Sequence, residues 1–207
     1  MIDKQELARL RKELEDAHEA RNAILTLANE VVALSKRTIY AKQRSNRQEA
    51  EESLARMKAH HRKLLAAIRR RPDMLGNNAV RTAGQELVEA ASYLLVERKG
   101  TLPTAKSLGV DALTYFLGIG DLSGELVRSA VLASLKGDLG RVREIHQMLE
   151  IIYGELLAVN AREADLRRKI DKAGYDLEKV ENLILDLTLK RELSREGRRE
   201  ERRDEQC

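Results

Sequence analysis

An all-α fold, an antiparallel bundle of six or seven long helices joined by short loops, is predicted by three features of the sequence. Charged residues make up 35% of its 207 residues, against about 25% in an ordinary domain. Aromatics make up 3%, and proline occurs twice, at Pro72 and Pro103. Hydrophobic residues, 43% of the chain, recur with a helical period. Such a composition is rich in helix formers and poor in breakers and strand residues. It excludes all-β and parallel α/β folds, and the periodic hydrophobic content excludes disorder.

The first helix is expected over residues 2–44. Leu7, Leu10, Leu14, Ala17, Ile24, Ala28 and Val31 follow three- and four-residue spacing, with Arg21 in the seam, which predicts one apolar stripe. Ser45-Asn46 marks a break. A second helix over 48–70 turns Leu54, Met57, Leu64, Leu65 and Ile68 inward and ends at Arg71-Pro72, because the residue before proline avoids helical angles. A third spans 79–98 and stops at Lys99-Gly100. Residues 102–108 are a connector able to hold one helical turn, with Pro103 at its first position. A fourth long helix spans 111–136 and ends at Gly137-Asp138. A fifth covers 141–159 and a sixth 162–192, where Leu166, Ile170, Ala173, Leu177, Val180, Ile184 and Leu187 keep a heptad-like seam. Residues 1–192 read as one helical domain. Residues 193–207 are almost wholly charged and read as a frayed or disordered tail.

The single cysteine, Cys207, allows no intramolecular disulfide and reads as a bystander on that tail. No apolar run approaches the length of a membrane span and the first residues are too polar for a signal peptide. The expectation is a soluble, cytoplasmic protein with no membrane partner.

Net charge is +4, yet residues 35–71 hold 12 Lys and Arg against 3 acids. That basic segment is either a solvated helix face or a phosphate-binding surface. Tyr40 is its lone aromatic, so contacts to backbone and duplex shape fit better than base stacking. Lys36, Arg37, Arg44 and Arg47 are the candidate phosphate contacts, spaced to share a face.

Four carboxylates lie in apolar surroundings. Glu86 and Glu89 stand at i,i+3 in Gln85–Val96, and Asp121 and Glu125 at i,i+4 in Tyr115–Val127, so each pair shares a helix face. Buried together they need neutralising. Either a divalent cation does this, with oxygen ligands suiting Mg²⁺ or Mn²⁺, or salt bridges from Arg81, Arg98 or Arg128 do. Gly118, Gly120 and Gly124 each disfavour a helix by about 1 kcal/mol and point to close helix approach around Asp121. Other chemistry is poorly supported. A di-iron site needs two Glu-x-x-His motifs and only Glu15–His18 fits; His60-His61 read as solvated rather than ligating; His146 lies mid-helix with no Cys or paired His nearby; no phosphate loop, dinucleotide fingerprint or zinc motif occurs.

The run from Tyr115 to Arg128 resembles the signature segment of the translin and translin-associated factor X family. Gly137-Asp138, Tyr175–Glu181 and Asp186-Leu187 fit it in the same order, and Ser35–Tyr40 and Gln85–Ala90 look like the factor X branch. The resemblance implies an all-helical subunit of a closed oligomer, an octamer, that binds RNA or single-stranded DNA inside. It also implies that Glu86, Glu89, Asp121 and Glu125 are the catalytic, metal-holding acids of an Mg²⁺- or Mn²⁺-dependent endoribonuclease. The chain is short and compact for a eukaryotic factor X, which suggests an archaeal-type homo-oligomer. Arg128, three residues after Glu125, either clamps phosphate or neutralises the acids. Two other readings stand beside this one: a ring that binds nucleic acid without cutting it, and an all-α nucleoside triphosphate pyrophosphatase, which shares ExxE-type carboxylates but lacks the basic segment.

Overall fold

A computed structural model describes the backbone of residues 3–204, and their side chains apart from those of 97–99 and 194–204. Among the described residues there are seven α-helices and no strand: α1 Lys4–Gln43, α2 Arg47–Arg70, α3 Asn78–Lys99, α4 Ala105–Leu108, α5 Ala112–Leu135, α6 Leu139–Leu157 and α7 Ala164–Asp204, with a 3-10 turn at Pro72–Met74. The chain forms two compact units, Met1–Gly118 and Ile119–Cys207. Their boundary falls inside α5, so no linker composition marks it, and the reading of residues 1–192 as one domain contains no such division.

Capping side chains set most helix starts. Asp3 accepts the Gln5 and Glu6 amides, Asn46 the Glu49 amide, Asn77 the Ala79 amide and Asp138 the Arg141 amide; each satisfies a donor left over at a helix N-terminus. Gly100, at φ +64°, ends α3 in the left-handed region that glycine adopts without strain.

In the first unit α1, α2 and α3 pack on one another. Ile24, Ala28 and Val31 of α1, Met57, Leu64 and Ile68 of α2, and Leu87, Val88, Ala91 and Tyr93 of α3 are buried. Each Ile, Val, Leu or Met among them contributes about 1.5–3 kcal/mol by leaving water, and Leu64→Ala would cost about 2–5 kcal/mol. In the second unit α6 and α7 pack through Val142, Ile145, Leu149, Ile152 and Leu156 against Leu166, Ile170, Ala173 and Val180.

Four expectations change. The stripe at the start of α1 is not covered: Leu7, Leu10 and Leu14 are 43%, 44% and 57% exposed, and burial begins at Ile24. The reason is length. α1 has 40 residues and α2 has 24, so α2 runs out where Arg71 donates to the Ala17 carbonyl at 3.0 Å. His61 is buried, not solvated, because it lies between Met57 and Leu64 on the inward face of α2. Pro103 precedes the short α4, whose cap is Thr104, and accepts a hydrogen bond from the Tyr115 hydroxyl at 2.8 Å. The backbone of α7 is helical to Asp204, into the segment read as a frayed or disordered tail; its Arg and Glu content favours helix without any apolar period. Cys207 lies outside the described residues.

Candidate functional site

All four candidate carboxylates are half-buried. Glu86 and Glu89 lie one turn apart on α3, whose apolar face is buried through Leu87, Val88 and Ala90. Asp121 and Glu125 lie one turn apart on α5, flanked by the buried Leu122, Ser123 and Leu126. Among the described residues, no three or more His, Cys, Asp or Glu side chains are grouped as metal ligands.

The glycines of α5 act as the spacing predicts. A Cβ at Gly118 would lie 2.6 Å from the Gln85 carbonyl oxygen and from the Val88 Cβ, so α3 touches the helix backbone there. A Cβ at Gly120 would lie 2.7 Å from the Lys169 Cβ, and one at Gly124 would lie 2.8 Å from the Lys172 Nζ. Side chains at these positions would push α7 away from the turn that carries Asp121 and Glu125.

That close approach brings two basic groups to the acids' helix. Lys169 Nζ donates to Asp121 Oδ1. Beside it, Asp176 of α7, 2% exposed, accepts from the Ser123 hydroxyl at 2.7 Å, from Lys172 Nζ at 2.6 Å and from Lys179 Nζ at 2.9 Å. Burial alone would raise the Asp176 carboxyl, but the hydrogen bonds from Lys172, Lys179 and Ser123 outweigh it and hold it below the usual carboxylate range. Ser123 stands between Asp121 and Glu125 in sequence, so the Asp176 bond fixes the turn that presents both.

Sequence reasoning missed Lys169 and Asp176. It sought the neutralising cation among arginines: Arg81, half-buried on α3, donates to Asn78 Oδ1 at 3.1 Å, Arg128 is exposed on α5 and the Arg98 side chain lies outside the described residues. The signal was present as the Gly120 and Gly124 spacing, which demanded a partner helix without naming it.

The basic segment is only partly available to phosphate. Lys36, Arg37, Arg44 and Arg47 are all exposed, but Arg37 and Arg44 converge on Glu49 at 2.9 and 3.4 Å, and Arg47 pairs with Glu51 at 2.9 Å. Arg44 also stacks 4.4 Å from the Tyr40 ring. They do not share one helix face, because the chain turns at Ser45-Asn46 between them. The basic groups that meet no carboxylate among the described residues are Lys36 and, on α2, Arg56, Lys58, Arg62, Lys63, Arg69 and Arg70. Arg56, Lys63 and Arg70 recur every seven residues on the outer side of α2, a stripe about 21 Å long.

Residues 5–191 match the translin family profile. Translin of Gallus gallus is 29% identical over 120 residues, covering 51% of this chain and 52% of that protein. An uncharacterized protein of Methanocaldococcus jannaschii is 31% identical over 121 residues, covering 53% of this chain and 54% of that protein. The chain thus spans about half the length of the curated relatives it matches. Two solved structures share the fold over most of both chains. One, described as apo-NeC3PO, superposes with a TM-score of 0.83 at 26% identity, covering 90% of this chain and 98% of that one. Another, described as an AfC3PO duplex RNA complex, gives 0.81 at 25% identity with the same coverage. The chain belongs to the translin family.

Proposed function

We propose that this protein is an RNA-binding, Mg²⁺- or Mn²⁺-dependent endoribonuclease that works as a closed homo-oligomer, an octamer, in the cytoplasm. The observation that carries the reading is the pair Asp121 and Glu125: two half-buried carboxylates, one turn apart, on a helix whose glycines hold α7 close beside them. The likeness to a C3PO structure in complex with duplex RNA supports the substrate class.

Each acid pair fits the ion chemically. Its donors are oxygens only, and Mg²⁺ is often held by one or two carboxylates with water completing the shell. Glu86 and Glu89 on α3, and Asp121 and Glu125 on α5, are the proposed ligands. Bound there, Mg²⁺ or Mn²⁺ would polarise a phosphoryl oxygen and lower the pKa of the attacking water. The protein's own groups supply the rest. A carboxylate oxygen among the four accepts the water's proton. Lys36 and the exposed basic groups of α2 hold the RNA backbone, as Arg37, Arg44, Arg47 and Arg128 do once phosphate replaces their present surroundings. Their contacts go to phosphates and carry no sequence information. Self-association covers the apolar stripe Leu7, Leu10 and Leu14, which a single chain leaves exposed.

A second reading is favoured by one observation: Asp121 is already paired with Lys169, as in a ring that binds RNA or single-stranded DNA without cutting it. The test is incubation of purified protein with single-stranded and duplex RNA in Mn²⁺ or Mg²⁺, with and without chelator, alongside its mass in solution. Fragments that appear only with metal support the nuclease. Binding that survives chelation and yields no product supports the ring.

A further inference from the structure

Lys169 is positioned by backbone packing. Its Cβ and Cα lie where a Gly120 side chain would be, at 2.7 and 3.7 Å from an ideal Cβ. From there its ammonium reaches Asp121 Oδ1 in the same unit. The next lysine on that face, Lys172, has its own acceptors in Asp176 and Ser123, so it does not share in neutralising Asp121. The side chains of Lys169 and Asp121 are 30% and 23% exposed, so an ion from solvent can reach the pair.

A half-buried carboxylate is costly without a counter-charge, and Lys169 supplies one. The same contact obstructs a metal, because an ammonium and a divalent cation repel at one carboxylate and compete for its lone pairs. Lysine suits a contact that must open: its charge is a compact point on a flexible stem with rotatable donors.

We infer that Lys169 is a resident counter-cation of Asp121, which a divalent ion must displace before it can bind. The inference rests on the reading of Asp121 as a metal ligand. Lys169 is a positioning residue: it holds the Asp121 carboxylate in place without metal, and it lowers the apparent affinity of the site for the ion. A protein whose competent form is only partly populated binds more weakly by that fraction.

The test is Mn²⁺ binding to the full chain, followed by the electron paramagnetic resonance signal of free aqueous Mn²⁺. The proteins compared are wild type, Lys169→Met, Lys169→Arg and Asp121→Asn, with helix content checked by circular dichroism. Methionine keeps an unbranched stem along Gly120 and removes the charge, so Lys169→Met should bind Mn²⁺ about fivefold or more tightly, the scale of one modest ion pair. Lys169→Arg, always charged, should stay within about twofold of wild type. A merely structural lysine would give the opposite sign, since a loosened site binds metal less well. Equal or weaker binding by Lys169→Met, with binding still dependent on Asp121, overturns this inference and leaves the metal reading standing. Absence of saturable Mn²⁺ binding in the wild type overturns both.

Discussion

Replacing Asp176 by alanine tests how the turn carrying Asp121 and Glu125 is held. Asp176 accepts from Ser123, Lys172 and Lys179, and its side chain is 3% exposed. The two lysines are 44% and 62% exposed, so they return to water at little cost, and pairs of that kind contribute weakly. Ser123 is buried but also lies 2.8 Å from the Gly120 carbonyl, which its hydroxyl can use instead. The loss is therefore close to that of one charge-assisted buried hydrogen bond plus a small cavity, about 1–3 kcal/mol. For a chain of this size each kcal/mol moves the melting point by about 2–4 °C. Helix unfolding followed by circular dichroism at neutral pH should show the variant melting several degrees below wild type. The pH dependence has a definite sign. The folded Asp176 carboxyl is held below its ordinary value, so its contribution is fully present above the unfolded value, near 3.9, and is lost as pH falls through the folded one. The gap between wild type and variant should therefore shrink in acid below about pH 4. Equal melting points at neutral pH, or a gap unchanged in strong acid, would refute the reasoning.

A methyl group at Gly118 would meet the Gln85 carbonyl oxygen and the Val88 Cβ at 2.6 Å; overpacking costs about 1–3 kcal/mol against a helix-propensity gain of about 1, so Gly118→Ala should lower the denaturant midpoint without changing the slope. His61 is buried and burial lowers its pKa, so folding favours the neutral ring. Stability it contributes is present above the unfolded value, near 6.5, and is lost as pH falls through the folded one; His61→Leu should flatten that part of the stability profile, and an unchanged profile contradicts the assignment. Lys63 meets no carboxylate among the described residues, whereas Arg37 pairs with Glu49. Lys63→Ala should reduce the salt slope of RNA binding by about one, and Arg37→Ala by less. Equal slopes would assign the RNA to another surface.

The helices were legible because their causes are local: a 3.6-residue apolar period, a break at Ser45-Asn46, and stops at Arg71-Pro72, Gly100 and Gly137-Asp138. The crowding of α5 was legible for the same reason, since glycines inside a helix require an external explanation. What meets those glycines is a tertiary fact. Nothing local to Lys169, one cation among 38, marks it as the partner of Asp121. Asp176 was equally silent, because its spacing from Lys172 and Lys179 suits an exposed helix as well as a buried hub. The exposure of Leu7, Leu10 and Leu14 depends on where α2 ends relative to α1, which periodicity in α1 alone does not contain. In the basic segment, net charge concealed that Glu49 and Glu51 engage three of the four candidate phosphate contacts.

The most direct test of the proposed activity is the rate at which end-labelled single-stranded RNA is cut by wild type, Glu89→Gln and Asp121→Asn proteins in Mn²⁺ and in chelator. The proposed activity requires cleavage by wild type that chelation abolishes, and a loss of at least about a hundredfold in either variant while RNA is still bound, since removing a metal ligand removes the stabilisation of charge at the reacting phosphate. Cleavage that persists in chelator, or variants that cut as fast as wild type, would contradict it.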